Sequence, residues 1–165
     1  MSYIHGLGEM LRYLTELVDS GSEKTYPNLP VNYRSRYTPV LRAIISGATT
    51  VSEITSVTFL TQGAVSQTVA LMEQDGILER ENLTDGRKSA LRLTPQGCAA
   101  LSDLKFHWQS IFLSVDRLEK ETGVPLMQFL EKAIKALEMR PIEERIREAK
   151  IDMRMQEKGN DAGQN

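Results

Sequence analysis

The chain has 165 residues, of which 41% are hydrophobic and 25% charged, and its formal net charge is −2. This balance is typical of a soluble globular protein, and no apolar run reaches the roughly 18 residues that a membrane span needs. One cysteine excludes an internal disulfide, and the first residues lack a signal-peptide pattern, so we expect a cytoplasmic protein without membrane contact.

Apolar residues recur three and four positions apart near the N-terminus, which predicts a helix that packs along a narrow seam on another helix. The seam consists of Ile4, Leu7, Leu11, Leu14 and Val18. Gly21 and Ser22 are expected to end this helix. The two prolines within residues 21–35 predict an irregular connection.

A second helix is predicted after the connection. Its buried positions are Val40, Leu41, Ile44 and Ile45. Two beginnings remain open. Thr38 is a suitable N-cap with Pro39 at the first helical position, whereas a beginning near Ser35 also keeps Pro39 within the tolerant first turn.

Two short helices follow, separated by a turn of three or four residues, and this is the spacing of a helix-turn-helix. Thr50 and Glu53 fit a capping box, in which hydroxyl and carboxylate satisfy free backbone N–H groups at the beginning of the first helix. Thr61 is the predicted cap of the second helix, which we expect to run to about Asp75, where Gly76 ends it. Its inward residues are Val65, Val69 and Met72.

The pattern then changes to that of two short strands, over residues 77–81 and 89–93. The pair Asp85-Gly86 between them favours a tight hairpin. A helix-turn-helix followed by a hairpin is the winged arrangement.

Helices are predicted again after the hairpin. Thr94 and Pro95 begin a helix that continues to about residue 121 and carries a second apolar seam. Its members are Leu101, Leu104, Trp108, Ile111, Val115 and Leu118. Further helices are expected after Pro125 and Pro141, and a disordered tail from Lys158 onward.

The outward face of the helix after Thr61 carries amides, hydroxyls and small residues but no charge. Amides and hydroxyls can bond to base edges, and small residues let a helix lie close to the groove. The candidate DNA-binding residues are Thr61, Gln62, Gly63, Ala64, Ser66 and Gln67, together with Arg87 and Lys88 at the hairpin tip. A solvated amphipathic helix is the alternative interpretation. The net charge of −2 is compatible with DNA binding but does not predict it.

The sequence resembles one known family. Asp85-x-Arg87 followed by Leu93-Thr94-x-x-Gly97 is similar to the signature of MarR-family regulators, and residues 50–54 and 60–67 resemble that family's helix-turn-helix. The resemblance implies a mostly α fold with a small β-hairpin wing, a winged helix-turn-helix domain flanked by N- and C-terminal dimerisation helices. It also implies that Asp85 braces Arg87, that Arg87 reaches the DNA, and that a small aromatic molecule or an oxidant releases the DNA.

The two apolar seams need more cover than one chain offers, so we expect a homodimer that binds palindromic duplex DNA. An intramolecular bundle of three helices is the alternative. The expected domains are residues 1–35 for the N-terminal dimerisation helix and connection, 36–97 for the winged helix-turn-helix, 98–157 for the C-terminal dimerisation helices and 158–165 for the tail.

The leading functional hypothesis is a sequence-specific transcription regulator, a repressor released by a small-molecule effector. The alternative is a winged-helix module that binds protein without contacting DNA. An enzyme fragment is not expected, because no cofactor-binding domain follows the wing.

No cofactor or metal is expected, since His5 and His107 have no partners at metal-ligand spacing. Cys98 is interpreted as a buried or half-buried structural thiol and not as a redox sensor. Aromatic residues that could line an effector pocket are Tyr37, Phe106, His107, Trp108 and Phe112, although aromatics at helical spacing are more often core.

Overall fold

The computed structural model describes residues 3–82 and 89–162, within which it contains seven α-helices and one two-stranded antiparallel sheet. The helices are α1 (Leu7–Glu23), α2 (Thr38–Ile45), α3 (Val51–Val57), α4 (Gln62–Gln74), α5 (Pro95–Thr122), α6 (Leu126–Met139) and α7 (Ile142–Ala162). The strands are β1 (Leu78–Asn82) and β2 (Ser89–Leu93). The predicted fold class is confirmed. None of the helices in the described ranges combines the length and apolarity that crossing a membrane requires.

The beginning of α2 corrects one prediction. A 3-10 helix over Ser35–Tyr37 leads directly into α2, and Thr38 has helical backbone angles, φ −51° and ψ −51°. Thr38 is therefore not an N-cap, and the alternative beginning near Ser35 is closer to the structure. The Thr38 hydroxyl instead lies 2.9 Å from the Tyr33 hydroxyl, because the connection folds back over the beginning of α2.

The chain divides into two compact units, Met1–Leu113 and Ser114–Asn165. The core of the first unit is built by α2, α3, α4, the sheet and the first part of α5. Its largest fully buried side chains are Tyr37, Leu41, Ile54, Met72, Ile77 and Leu104. Since Leu104 and Trp108 are buried within their own chain, the prediction that the whole α5 seam needs a partner is wrong for these two residues.

The wing is attached to α5 through a close backbone approach. The Thr94 hydroxyl donates to the Gly76 carbonyl oxygen at 2.5 Å and accepts from the Gly97 N–H at 3.0 Å, so it caps α5 as predicted. A Cβ at Gly97 would overlap the Ile77 carbonyl oxygen. The Thr94-x-x-Gly97 spacing therefore reflects a physical need, a cap and a residue without a side chain where helix meets strand.

The second unit contains the end of α5 with α6 and α7, and none of its described residues is buried. Gly123 ends α5 with φ +70°. The expected tail from Lys158 is wrong for residues 158–162, which continue α7, whereas 163–165 lie outside the described residues. From Ile146 to Glu157 every side chain of α7 is exposed.

Candidate nucleic-acid interface

The helix-turn-helix begins with a complete cap on α3. The Thr50 hydroxyl accepts from the Glu53 N–H at 3.2 Å, and the Glu53 carboxylate accepts from the N–H groups of Thr49 and Thr50 at 2.7 and 3.2 Å. The predicted capping box is thus confirmed. These hydrogen bonds, that from the Thr49 backbone first, lower the pKa of Glu53 because they favour its charged form.

The turn between the two helices spans residues 58–61 and ends in the predicted cap of α4. The Thr61 hydroxyl accepts from the Ala64 N–H at 3.2 Å, which satisfies one of the free donors in the first turn. Within the turn, Phe59 is 78% exposed. The cap sets where α4 begins, and therefore which residues its first turn presents to solvent.

The α4 helix has one buried and one exposed face, as predicted. Val65, Val69 and Met72 are buried in the core, and so is Thr68, which the sequence pattern missed. The structure brings the predicted residues of the exposed face together: Thr61, Gln62, Gly63, Ser66 and Gln67, continued by Ala70. Ala64 differs from them, because it is half-buried. The exposed face of the first three turns carries no charged side chain.

The tip of the wing lies outside the described residues, so the predictions for Asp85, Arg87 and Lys88 remain predictions. The strands below it are described. The Arg80 guanidinium lies 2.7 Å from Glu73, and the Arg92 guanidinium lies 2.8 Å from Glu79 and 3.2 Å from Glu81. Both arginines of the strands are therefore paired with carboxylates.

The other end of α4 is held by a carboxylate that the sequence analysis did not single out. Asp75, the C-cap residue, accepts from the Tyr37 hydroxyl at 2.5 Å and from the Asn32 amide at 3.2 Å, and the Arg34 Nε lies 3.5 Å away. The hydrogen bond from Tyr37 is the main cause of the lowered pKa of Asp75. Burial, reinforced by the contact with this carboxylate, raises the pKa of Tyr37 to about 12.

A row of aromatic rings continues from Tyr37 to α5. The ring centroids of Tyr37 and Tyr33 are 5.9 Å apart, those of Tyr33 and Tyr26 5.1 Å, and those of Tyr26 and His107 4.3 Å. His107 is buried, and its Nε2 has no hydrogen-bond partner among the described residues. Burial lowers the pKa of His107 because it disfavours the charged imidazolium.

A groove of about 620 Å³ lies beside the turn that leads into α4. Its lining residues are Pro39, Arg42, Ala43, Ile45, Ser46, Ala48, Val57, Thr58, Phe59, Leu60, Lys105 and Trp108. Arg42 and Lys105 are its only charged lining residues in the described part of the chain, and both are cationic. The groove is therefore mostly apolar with a positive rim.

Of the aromatic residues suggested for an effector pocket, only Trp108 lines this groove. Tyr37 and His107 are buried elsewhere in the core, and Phe106 is exposed. Phe112 lies under the Arg42 guanidinium, 4.8 Å from the ring centroid. Phe112 therefore helps to hold one of the two cations that line the groove.

Cys98 is exposed, so the interpretation of a buried or half-buried thiol is wrong. Cys98 is the fourth residue of α5 and points outward because Gly97 and Ala100, which are both buried, face the core. Within the described ranges, no group of three or more His, Cys, Asp or Glu residues is placed to hold a metal ion.

The fold and this surface define a winged helix-turn-helix protein. Residues 32–88 match the model of the MarR family. This segment contains α2, α3, α4 and the first strand of the wing, so the similarity to the MarR family lies in the helix-turn-helix and the beginning of the wing. No curated protein sequence matches the chain.

Solved structures share the fold at low sequence identity. The PcaV transcriptional regulator from Streptomyces coelicolor, solved with its natural ligand, is 16% identical with a TM-score of 0.65, over 82% of this chain and 99% of that one. BpsR from Bordetella bronchiseptica, whose DNA binding is regulated by 6-hydroxynicotinic acid, is 20% identical with a TM-score of 0.57, over 80% and 98%. A MarR/EmrR family regulator from Acinetobacter sp. ADP1 is 15% identical with a TM-score of 0.57, over 81% and 92%.

Proposed function

We propose that this chain is a sequence-specific transcription regulator that binds duplex DNA with α4 in the major groove. The observation that carries the proposal is the exposed face of α4, where amide, hydroxyl and small side chains stand together without charge. A helix face that only meets water ordinarily carries Lys, Arg, Glu or Asp. Amides can form paired hydrogen bonds with adenine, and small residues allow close approach to base edges.

The wing supplies the second contact in this proposal. Arg80 and Arg92 are paired with carboxylates, so we assign the basic contact to the tip, where Arg87 follows the family pattern and Lys88 is a second cation. Arg87 enters the minor groove, whose narrow A·T-rich stretches attract guanidinium groups. Asp85 braces Arg87.

We propose a homodimer because a palindromic operator requires two recognition helices related by two-fold symmetry. Apolar side chains outside the winged-helix core are available for the interface. On α1, Leu7 is 69% exposed and Leu11 40%, and on α6 Phe129 is exposed as well. A partner that covers these side chains would remove apolar surface from water, which is the usual driving force for association.

The test separates base contacts from phosphate contacts. On an operator selected from bound genomic fragments, Gln62→Ala and Gln67→Ala should each cost about 1 to 3 kcal/mol, with little change on a scrambled duplex. Arg87→Ala should weaken binding to both duplexes and reduce the salt dependence by about one unit of slope. Gln128→Ala, which removes an exposed amide from α6, is the matched control.

If neither the glutamine variants nor Arg87→Ala changes operator affinity, α4 and the wing do not form the DNA-binding surface. A winged-helix module that binds protein would then be the better interpretation. The exposed Phe59 in the turn before α4 would be the first residue to test in a protein contact.

We infer that the protein is a repressor released by a small aromatic anion in the groove beside Phe59. An apolar site with a few convergent polar groups is typical of small-molecule binding. Arg42 and Lys105 supply positive charge for a carboxylate or phenolate, and Trp108 supplies a ring surface. An occupant would contact Phe59 and Leu60, directly before the Thr61 cap, and could shift the beginning of α4.

Trp108 is the only tryptophan of the chain, so its fluorescence reports on the groove directly. Titration with benzoate and hydroxybenzoates should change the emission and release operator DNA, whereas the matched benzamides should bind more weakly. Arg42→Gln and Lys105→Gln should weaken the binding of the benzoates more than that of the benzamides. Lys132→Gln on α6 is the control. Equal affinity for acids and amides, or no effect of the two groove variants, would contradict this assignment.

A further inference from the structure

We propose that Asp75 and Tyr37 are positioning residues for DNA recognition, which fix the C-terminal end of α4 and thereby the orientation of its base-contacting face. The inference rests on the proposed function of α4. It adds residues that do not contact the DNA themselves and that lie at the opposite end of the helix from Gln62.

An acidic residue at the C-terminus of a helix is unfavourable by itself, because the last carbonyl groups carry partial negative charge. At Asp75 this cost is offset from outside the helix. Both carboxylate oxygens are used: Oδ2 accepts from the Tyr37 hydroxyl and lies near the Arg34 Nε, and Oδ1 accepts from the Asn32 amide. The Asp75 side chain is only 15% exposed. Its placement therefore serves a tertiary contact rather than the helix itself.

The donor from Tyr37 is fixed more firmly than the other two. Tyr37 is fully buried, and its ring packs at 89° against Tyr33, so the hydroxyl has little freedom to turn elsewhere. Arg34 and Asn32, in contrast, are exposed side chains. A short hydrogen bond to a carboxylate from a buried ring is strong and directional. It joins the end of α4 to the row of rings that reaches His107 on α5.

The length of α4 means that the position of its first turn depends on how firmly its last turn is held. A helix of 13 residues is about 20 Å long, so a tilt of about 5° around one end moves the other end by nearly 2 Å. Specific contacts tolerate displacements of only about 0.5 Å. The core side chains and the Thr61 cap hold the middle and the beginning of α4. At the remaining end Met72 is buried and Glu73 pairs with Arg80, and Asp75 adds the contacts that join this end to the connection before α2 and to Tyr37.

The test compares two tyrosine-to-phenylalanine variants of the full-length protein. Tyr37→Phe keeps the buried ring but removes the donor to Asp75. Tyr33→Phe removes a hydroxyl from the same row of rings, but one that contacts Thr38 and not Asp75. Operator affinity, scrambled-duplex affinity and thermal midpoint are measured for both variants and for the wild type.

Tyr37→Phe should lower operator affinity about tenfold while scrambled-duplex affinity and the salt slope stay unchanged, because α4 then holds the orientation that specific contacts require for only about a tenth of the time. Tyr33→Phe should leave the ratio of the two affinities within about twofold of the wild type. A double-mutant cycle with Asp75→Asn should show coupling to Tyr37 and none to Tyr33. A purely structural role would instead lower the thermal midpoint without changing the affinity ratio, and this result would overturn the proposal.

Hydrogen exchange provides a measurement that does not need DNA. Tyr37→Phe should speed amide exchange in the last turn of α4 while leaving α3 protected. Unchanged exchange in α4 overturns the positioning role whatever the DNA data show. Exchange in the last turn of α4 could rise in Tyr37→Phe while the wild type shows no preference for any duplex. In that case the contact between Tyr37 and Asp75 does fix the end of α4, and the proposed function of α4 fails instead.

Discussion

The winged-helix part of the chain and its helical ends both carry regularly spaced apolar residues, but only the winged-helix part buries them. In the first, apolar residues of α2, α3, α4 and the sheet meet in one core, and side chains such as Leu41 and Ile54 have no exposed surface. In α1, in α6 and in α7 as far as Glu157, apolar side chains are spaced as regularly, yet none of them is buried. Helical spacing predicts which face of a helix is apolar, but it does not predict whether the chain itself covers that face.

The apolar seam of α5 is buried in its first half and uncovered in its second half. Leu104 and Trp108 are buried against the core of their own unit, whereas Val115 is half-buried and Leu118 is exposed. Burying a large apolar side chain is worth about 1.5 to 3 kcal/mol, so the first half of the seam stabilises the fold of one chain. The second half can make such a contribution only when something else covers it. The proposed homodimer supplies that cover.

The largest expected effect comes from placing charge on the uncovered face of α1. Leu7→Glu combined with Leu11→Glu should abolish the dimer and with it operator binding, because both side chains belong to the proposed interface. The isolated chain should keep its helical circular dichroism, since neither residue is buried. Light scattering at micromolar concentration should give the monomer mass.

Leu104→Glu is the contrasting variant, because it places a charge in the core of the chain itself and should prevent folding. A dimer mass for the double α1 variant would show that α1 is not at the interface. A folded, monomeric Leu104→Glu protein would contradict the division of the α5 seam.

A smaller effect is expected where α5 meets the wing. Gly97→Ala forces a Cβ against the Ile77 carbonyl oxygen, so the helix or the strand has to shift, and overpacking of this kind costs typically about 1 to 3 kcal/mol. Urea unfolding followed by circular dichroism measures the change in the free energy of unfolding. Gly21→Ala in α1 is the control, since no atom lies within 4 Å of its added Cβ. It should be neutral or stabilising by up to about 1 kcal/mol. If Gly97→Ala and Gly21→Ala lowered the free energy of unfolding equally, the close approach of α5 to the Ile77 carbonyl would not be the cause.

The smallest effect concerns pH and also belongs to the winged-helix part. Burial lowers the pKa of His107 in the folded state below its unfolded value of about 6.5, so the unfolded state binds more protons as the pH falls. The contribution of the neutral His107 to stability is therefore fully present above about pH 6.5 and declines as the pH falls below that value. Asp75 and Glu53, whose pKa values are lowered, contribute stability above about pH 4.5, and this contribution is lost only as the pH falls further.

His107→Phe should remove this decline, which unfolding curves at intervals of pH will measure. His5→Gln is the control, because His5 lies on the exposed N-terminal segment. An unchanged pH dependence in His107→Phe would mean that another group titrates in this range.

The sequence was sufficient for features whose physical cause lies within a few residues. The capping box of Thr50 and Glu53, the Thr61 cap and the two faces of α4 depend on hydrogen bonds and periodicity inside one helix. The Thr94-x-x-Gly97 pattern was recognised by resemblance, and the structure supplies its reason in the contact with the Ile77 carbonyl. For the same reason the exposed positions of α4 were predicted, although Ala64 proved half-buried.

The remaining features depend on residues far apart in the chain, and only the tertiary structure decided them. Thr38 is not a cap, because its hydroxyl contacts the Tyr33 hydroxyl of the connection. Cys98 is exposed because Gly97 and Ala100 face the core. Asp75 contacts Tyr37 across 38 positions, a separation at which no local pattern carries a signal. Local signals determined which side of each helix is apolar and where α3, α4 and α5 begin. The choice of partner for each face, like the beginning of α2, is decided by packing between segments that meet only in the folded chain.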